Sequence, residues 1–313
     1  MGTVGICGAG CSLFDPSDGW AGPNGGLLKN ALKHLLKPVW AIFRDALPTK
    51  AHIVLDHLRV HGKLPNLKHP ATFNEKIACR KLYDRDPRMP PLVDKIAAKE
   101  LMAARFGPEF IIPTLATFES ADEVDFDALE YPCVVKGSHG SGMNAFLMKR
   151  PDDKNEVRRE LHRFLQYNHY KTSEEWAYSQ VPKRLLVEPF IEGGEHGLID
   201  YKFHTFNGRV FAIQVDLDRH SNHTRCVMDP AWAKMLVAMT FPLYRGVPAP
   251  PAGLKDMFRY AEQIGKGFSY IRVDLYQVQG RVKFSEVTFY PGAGILETFN
   301  PPEFDEIFGA QWV

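Results

Sequence analysis

The feature that most constrains this chain is a pair of strand-like runs near its end, residues 271–276 and 284–290. Both runs are apolar and rich in β-branched residues, with charged or hydroxyl side chains at alternating positions. A period of two places Arg272 and Asp274 on one face of the first strand. It places Glu286 and Thr288 on one face of the second strand. In a hairpin of these two runs, each strand therefore carries its polar pair on a single face.

The loop between the two runs decides whether those faces coincide. A two-residue turn, 279–280, would send Glu286 to the face opposite Asp274. A three-residue loop, 278–280 with its glycine left-handed, would set Arg272 opposite Glu286 and keep Asp274 on the same face. The functional interpretation uses the three-residue loop.

Two carboxylates on one face repel each other unless a cation lies between them. Hard oxygen ligands, completed by phosphate oxygens, suit Mg²⁺. One interpretation of the hairpin is therefore a magnesium site at Asp274 and Glu286, with the Thr288 hydroxyl on the same face. The alternative is an exposed hairpin with an Arg–Glu cross-strand pair.

Composition limits the classes of protein. A chain of 313 residues forms one large domain or two to three small ones, and 45% hydrophobic residues supply a core. The net charge of +1 argues against a nucleic-acid partner. Five scattered cysteines predict reduced thiols and a cytoplasmic protein. We see no signal peptide and no apolar window that could span a bilayer.

The N-terminal third is predicted to be mostly helical. Residues 1–26 are rich in Gly and suggest a flexible arm, and residues 27–47 have helical spacing. Lys29, Lys33 and Lys37 form a basic row on that helix, which predicts either peripheral contact with the inner face of a membrane or packing on the protein body. Further helices are predicted over 50–61, 72–83 and 92–106, the second starting at a capping box.

An alternation of strands and helices follows. A hairpin is predicted around residues 207–208, an Asn-Gly pair typical of a tight turn. The other predicted strands are 111–118, 131–136, 144–148 and 183–190, and the other predicted helices are 152–168 and 254–266.

A second motif, residues 133–143, is a buried strand that delivers Lys136 into a loop rich in Gly and Ser. Glycines allow backbone N–H groups to converge on an anion, and hydroxyls add donors. We expect Lys136, with Ser138, Gly140, Ser141 and Gly142, to bind phosphate. The alternative is a long hairpin turn with an incidental lysine.

A third motif, residues 185–195, is an apolar strand that ends in Glu188 and continues through Phe190 and Ile191 to two glycines and Glu195. Free backbone groups in such a segment can bind an adenine edge, and the acid beyond it can bind ribose hydroxyls. The alternative is a strand followed by a solvated acidic turn.

The order of these motifs along the chain resembles the ATP-grasp superfamily. Neighbouring segments resemble its TupA-like branch, named for teichuronopeptide biosynthesis, and the resemblance covers about residues 65–294. The segments that carry it are 69–77, 92–95, 200–204 and 284–289.

The resemblance implies an α+β fold in which two α+β subdomains clasp ATP between antiparallel sheets, behind an N-terminal helical extension. It implies an arm at 1–26, a helical region at 27–107, and ATP-grasp subdomains at 108–190 and 191–313. The second of these subdomains would carry the metal site.

The resemblance also implies roles for single residues. Lys95 and Lys136 would bind the α- and β-phosphates, and the loop 138–142 would close over the γ-phosphate. Many ATP-grasp ligases carry Asn where this chain has Thr288, a weaker ligand. The remaining implied roles are adenine binding by Glu188, Phe190 and Ile191, ribose binding by Glu195, Mg²⁺ binding by Asp274 and Glu286, and catalysis by Arg272 and Lys202.

The implied activity is an ATP-dependent ligase that joins a carboxylate to an amine through an acyl phosphate. The family name suggests that an amino acid or peptide is attached to a uronic-acid-containing cell-surface glycan or its precursor. A phosphotransferase and a nucleotide-binding scaffold in a polysaccharide-assembly complex are the alternatives. The sequence leaves the two substrates and the oligomeric state open.

Overall fold

The computed structural model describes residues 5–7, 47–219 and 222–313. The helices are α1 Thr49–His61, α2 Phe73–Tyr83, α3 Met89–Val93, α4 Lys95–Phe106, α5 Lys154–Gln166, α6 His169–Ser173, α7 Leu254–Gly265 and α8 Glu303–Gln311. The strands are β1 Gly5–Cys7, β2 Ala116–Phe118, β3 Cys133–Gly137, β4 Asn144–Leu147, β5 Leu185–Pro189, β6 Asp200–Phe206, β7 Arg209–Leu217, β8 Thr224–Met228, β9 Lys234–Met235, β10 Ala238–Met239, β11 Tyr270–Val278, β12 Arg281–Thr288 and β13 Phe299–Asn300.

Two antiparallel sheets form the frame. The first has five strands in the order β1-β4-β3-β5-β2, and the second has six in the order β12-β11-β6-β7-β8-β9. Strands β10 and β13 form a separate pair. The predicted α+β class with antiparallel sheets is confirmed. The strands divide between the two large sheets after Pro189, close to the predicted boundary at residue 190, which itself stays a prediction.

Each large sheet has its own core. Val135 of β3 packs with Leu161 and Phe164 of α5 beside the first sheet. Phe203 and Val273 lie in the larger core of the second sheet, on which α7 packs. Because both cores consist mainly of apolar side chains, each sheet has a packed support on which polar side chains can be held.

The helix α2 begins at the predicted capping box. The Thr72 hydroxyl accepts from the Glu75 backbone N–H, and the Glu75 carboxylate accepts from the Thr72 backbone N–H. Burial raises the pKa of Glu75, but the N–H groups of Asn66, Ala71 and Thr72 outweigh it, so the pKa falls below its ordinary value. The start of the helix is therefore fixed by charge-assisted hydrogen bonds.

Helix α2 also ties the second sheet to the C-terminal helix α8. Asn74 donates from Nδ2 to the Glu297 carbonyl at 2.9 Å and to Asp305 of α8 at 3.0 Å. Arg80 donates to the Tyr270 carbonyl of β11 at 2.8 Å, and its guanidinium lies 4.2 Å from the ring centroid of Trp312. Residues far apart in sequence thus support the start of β11.

The predicted helix 92–106 is in fact two helices, α3 and α4. Asp94 has an extended backbone and accepts the N–H of Ile96, so it caps α4. Lys95 therefore occupies the first position of α4, at the end of the helix.

The predicted strand 111–118 is shorter than expected, because only Ala116–Phe118 forms strand β2. Pro113 lacks the N–H that a ladder requires, so the segment before it is irregular.

The N-terminal predictions are only partly covered by the structure. Gly5–Cys7 pairs with β4 and forms the edge of the first sheet, so these three residues form a strand where we expected an arm without regular structure. The rest of the 1–26 arm and the basic helix at 27–47, up to residue 46, lie outside the described residues.

The loop of the final hairpin differs from the prediction. Val278 pairs with Arg281, so the turn has two residues, and both Gln279 (φ 50°) and Gly280 (φ 77°) are left-handed. The extra residue lies inside the ladder instead, as a β-bulge at Ser285. Beyond the bulge Asp274 pairs directly with Glu286, and so the bulge restores the shared face that the three-residue loop was expected to give.

We predict that Gln279→Asn raises the free energy of unfolding by roughly 0.5–1 kcal/mol, since Asn tolerates a left-handed backbone better than Gln. Urea unfolding measures the change. Val278→Asn is the matched control and is expected to give no gain. Equal effects of the two substitutions would contradict the two-residue turn.

Candidate active site

Polar side chains from both sheets meet in a cleft of about 140 Å³. Predicted residues from every motif line it: Lys95, Lys136, Ser141, Gly142, Glu188, Lys202 and Glu286. Lys99, Asp200 and Arg219 line it as well, although they were not among the predicted site residues. The structure therefore brings together residues separated by up to 191 positions.

Lys95 reaches across the cleft from the start of α4. Its Nζ donates to the Gly140 carbonyl at 2.8 Å and to Glu286 Oε2 at 3.2 Å. The backbone N–H of Lys95 donates to the Ser138 carbonyl. One lysine thus links the Gly/Ser loop to the final hairpin.

Glu188 is held between two lysines. Lys99 Nζ and Lys136 Nζ each lie 2.5 Å from one of its carboxylate oxygens. Burial raises the pKa of Glu188, but the two ammonium groups outweigh it, so the pKa falls below its ordinary value. Burial lowers the pKa of Lys99, and Glu188 opposes that fall. Lys99 lies four residues after Lys95 on α4, a spacing that could have revealed it.

The Gly/Ser loop presents only part of its predicted set to the cleft. Ser141 and Gly142 line the cleft, and Gly142 has φ +75°, a backbone that favours glycine. Ser138 does not reach the cleft, because it is buried and its hydroxyl donates to the Pro182 carbonyl at 3.1 Å. A Cβ on Gly140 would lie 3.0 Å from His169 Cβ, so the chain is closely packed there.

Three charged side chains form a row across the second sheet. Lys202 of β6 pairs with Asp274 of β11, and Asp274 pairs with Glu286 of β12. Lys202 Nζ donates to Asp274 Oδ2 at 2.8 Å. Burial raises the pKa of Glu286, but Lys95, Lys202 and Arg272 hold it well below its ordinary value. Glu286 is thus kept charged on the face that it shares with Asp274.

Arg272 completes the next row of the same face, opposite Thr288. Its Nε and Nη2 bind the two oxygens of Asp274, each at 2.8 Å, and Nη2 lies 3.3 Å from Thr288 Oγ1. Burial lowers the pKa of Arg272, but Asp274 raises it well above its ordinary value. A bidentate pair of this kind fixes both side chains.

Behind the row lies a second layer of ion pairs that sequence reasoning missed. Asp200 lies 3.3 Å from Lys202 and also binds Arg219. Asp216 lies 3.9 Å from Lys202 and binds Arg225 at 2.6 Å. The alternating charges along β6 and β7 could have indicated the two aspartates, but their arginine partners come from the residues that follow β7.

The third motif borders a separate cavity of about 610 Å³. Phe190, Ile191 and Glu195 all line it, together with the turn of the final hairpin at 277–279. The structure therefore places these three residues together. Another depression, of about 650 Å³ between the β6–β7 turn and α7, is not lined by any predicted site residue.

The predicted metal ligands fit a cation that brings further ligands with it. Asp274, Glu286 and Thr288 supply hard oxygen atoms on one sheet face, as Mg²⁺ requires. Across the described ranges, however, no group of three or more His, Cys, Asp or Glu side chains is arranged to hold a metal ion. Two carboxylates and a hydroxyl suit a magnesium ion whose shell is completed by phosphates and water.

Two antiparallel sheets around a cleft lined by lysines and carboxylates are the architecture of an ATP-grasp protein. The profile of the TupA-like ATP-grasp family matches residues 75–313, and the chain belongs to this family. The predicted family is therefore confirmed. No curated protein matches the sequence.

Solved structures show distant similarity. A D-alanine–D-alanine ligase from Bacillus anthracis, complexed with ATP, is 20% identical, with a TM-score of 0.38 over 63% of this chain and 54% of that chain. An L-amino acid ligase from Bacillus licheniformis is 14% identical, with a TM-score of 0.39 over 85% of this chain and 56% of that chain. The chain thus spans little more than half the length of either enzyme.

None of the helices in the described part of the chain has the length and apolarity needed to cross a membrane.

We predict that Glu188→Gln destabilises the protein by roughly 3 kcal/mol at neutral pH, because it leaves Lys99 buried without its counter-charge. Adding Lys99→Met should recover much of that loss. Because the pKa of Glu188 is below its ordinary value of 4.5, its contribution is present above that pH and is lost as the pH falls.

Urea unfolding of wild type and Glu188→Gln across pH 3–7 tests this. The difference in the free energy of unfolding should be largest near pH 7 and should shrink below about pH 4.5. A difference that grows on acidification would contradict the ion-pair assignment.

Proposed function

We propose that the protein is an ATP-dependent carboxylate–amine ligase that forms an amide through an acyl phosphate. The observation that carries the proposal is the row of Lys202, Asp274 and Glu286, of which Lys202 and Glu286 line one cleft together with Lys95 and Lys136. Cations on both walls suit a polyphosphate, and two carboxylates suit its metal.

The nucleotide would lie along the cleft. Lys95 and Lys136 would bind its phosphates, and the loop through Ser141 and Gly142 would cover them. The cavity next to Phe190 and Glu195 would take the base and ribose, with Ile191 beside them. This assignment is supported by the two cavities that these residues line.

Asp274 and Glu286, with Thr288, would hold Mg²⁺. When bound, the ion would neutralise charge on the phosphates. Lys202 would bind the transferring phosphoryl group from the same side. Arg272 would stabilise negative charge on the reacting carboxylate, since its hydrogen bonds to Asp274 and Thr288 use Nε and Nη2 and its Nη1 group remains as a donor.

The reaction has two steps. A carboxylate oxygen attacks the γ-phosphorus, the bond to the β,γ-bridging oxygen breaks, and ADP leaves. An amine nitrogen then attacks the acyl carbon, the carbon–oxygen bond to phosphate breaks, and the nitrogen loses a proton to give the amide. Because the acyl phosphate hydrolyses readily, the cleft must exclude water, and its cover is the Gly/Ser loop.

The substrates we propose are an amino acid or peptide and a uronic-acid-containing cell-surface glycan or its precursor. The family's name, which refers to teichuronopeptide, supports this choice. The enzyme would act in the cytoplasm, and the basic helix predicted at 27–47 would bring it to the inner face of the membrane.

Hydroxylamine distinguishes the ligase from a phosphotransferase. With ATP, Mg²⁺ and a uronic acid, we expect a hydroxamate to form together with ADP and phosphate. Glu286→Gln should slow this reaction by roughly 100-fold or more, since one metal carboxylate is lost. Arg281→Gln, at the exposed turn of the same hairpin, is the matched control and should retain the activity.

ADP release with a phosphorylated product and no hydroxamate would identify a phosphotransferase instead. If a hydroxamate forms, a screen of amino acids against uronic acids and glycan carboxylates, with ADP release as the readout, would identify the substrates.

A further inference from the structure

The two predicted metal carboxylates are outnumbered by the cations around them. Arg272 and Lys202 each bind Asp274 at 2.8 Å, and Lys95 lies 3.2 Å from Glu286. Three positive charges against two negative ones leave the immediate surroundings of the metal ligands at +1. A free divalent cation would therefore enter a region that is already positive.

Asp274 also has little remaining capacity as a ligand. Its Oδ1 accepts from Arg272 Nε, and its Oδ2 accepts from both Arg272 Nη2 and Lys202 Nζ. A carboxylate offers about four acceptor positions, so roughly one is left on Asp274. With no third acidic, His or Cys ligand placed alongside in the described chain, a free ion has few protein atoms to bind.

The two lysines, unlike Arg272, have alternative partners besides the metal carboxylates. Lys202 Nζ lies 3.3 Å from Asp200 as well as 2.8 Å from Asp274. Lys95 also binds the Gly140 carbonyl at 2.8 Å. Both lysines line the cleft in which phosphates would lie. Arg272, in contrast, is fixed by two hydrogen bonds to Asp274.

We propose that Lys95 and Lys202 are exchangeable internal counter-ions. In the free enzyme they neutralise Glu286 and Asp274 and keep a free divalent cation out. When a nucleotide binds, its phosphates take over both lysines and release the two carboxylates for the metal. The metal is therefore loaded only together with the nucleotide. The inference rests on the proposed function for the identity of the nucleotide.

The variants follow from the ion pairs. Lys202→Met and Lys95→Met each remove one counter-ion, and Asp200, Asp216 and Asp274 keep Arg219, Arg225 and Arg272 as partners. Lys99→Met is the matched control, because Lys99 lines the same cleft but binds Glu188, which keeps Lys136. Lys95 is more exposed than Lys202, so Lys95→Met provides a second test if Lys202→Met does not fold.

Free Mn²⁺ is measured by electron paramagnetic resonance, with thermal unfolding as the check on folding. Wild type and Lys99→Met should bind no Mn²⁺ at about 0.1 mM, a concentration at which weak metal sites in proteins remain empty. Lys202→Met or Lys95→Met should bind it about tenfold more tightly or better. Adding Glu286→Gln should abolish the gain. With a non-hydrolysable ATP analogue, wild type should bind Mn²⁺, and both test variants should bind the analogue more weakly.

Stoichiometric binding of Mn²⁺ by wild type without nucleotide, lost in Glu286→Gln, would overturn the inference and leave the ligase proposal standing. Folded lysine variants without any gain would overturn it too. If wild type bound neither the analogue nor Mn²⁺ in its presence, the proposed function itself would fail.

Discussion

The candidate site depends on one register, in which Asp274 of β11 lies directly opposite Glu286 of β12. The bulge at Ser285 produces this register. Without the extra residue taken up there, the two-residue turn would alternate Glu286 onto the other face, away from Lys202 and Asp274. The contact of Lys95 with Glu286, and the place of Glu286 beside Asp274 and Lys202, depend on this shared face.

Two carboxylates of the site are each bound by two cations before any ligand arrives. Glu188 is balanced by Lys99 and Lys136, and Asp274 by Arg272 and Lys202. Such pairing lowers the cost of burying charged groups, because an unpaired buried ion is far more unfavourable. Because the charged groups are already paired, a ligand must replace existing ion pairs when it binds.

The sequence predicted which residues belong to the site better than it predicted the contacts between them. Alternation placed Asp274 and Glu286 on one face only with a three-residue loop, which the structure replaces by a two-residue turn and a bulge. The Gly/Ser loop predicted that Lys136 binds phosphate, because such a motif depends on local composition. The bulge at Ser285 and the inward turn of Ser138 depend on packing against distant segments, which a local pattern does not contain. Likewise, the pairing of Asp200 with Arg219 follows from the tertiary fold alone.

The contact between Asn74 and Asp305 joins residues 231 positions apart. During synthesis, helix α2 leaves the ribosome long before its partner helix α8 exists. Until then the ring of Phe73, which packs against Phe308 and Trp312 in the finished protein, stays uncovered. The nascent chain thus leaves this ring uncovered until α8 has been made, and exposed apolar surface of this kind promotes aggregation during synthesis.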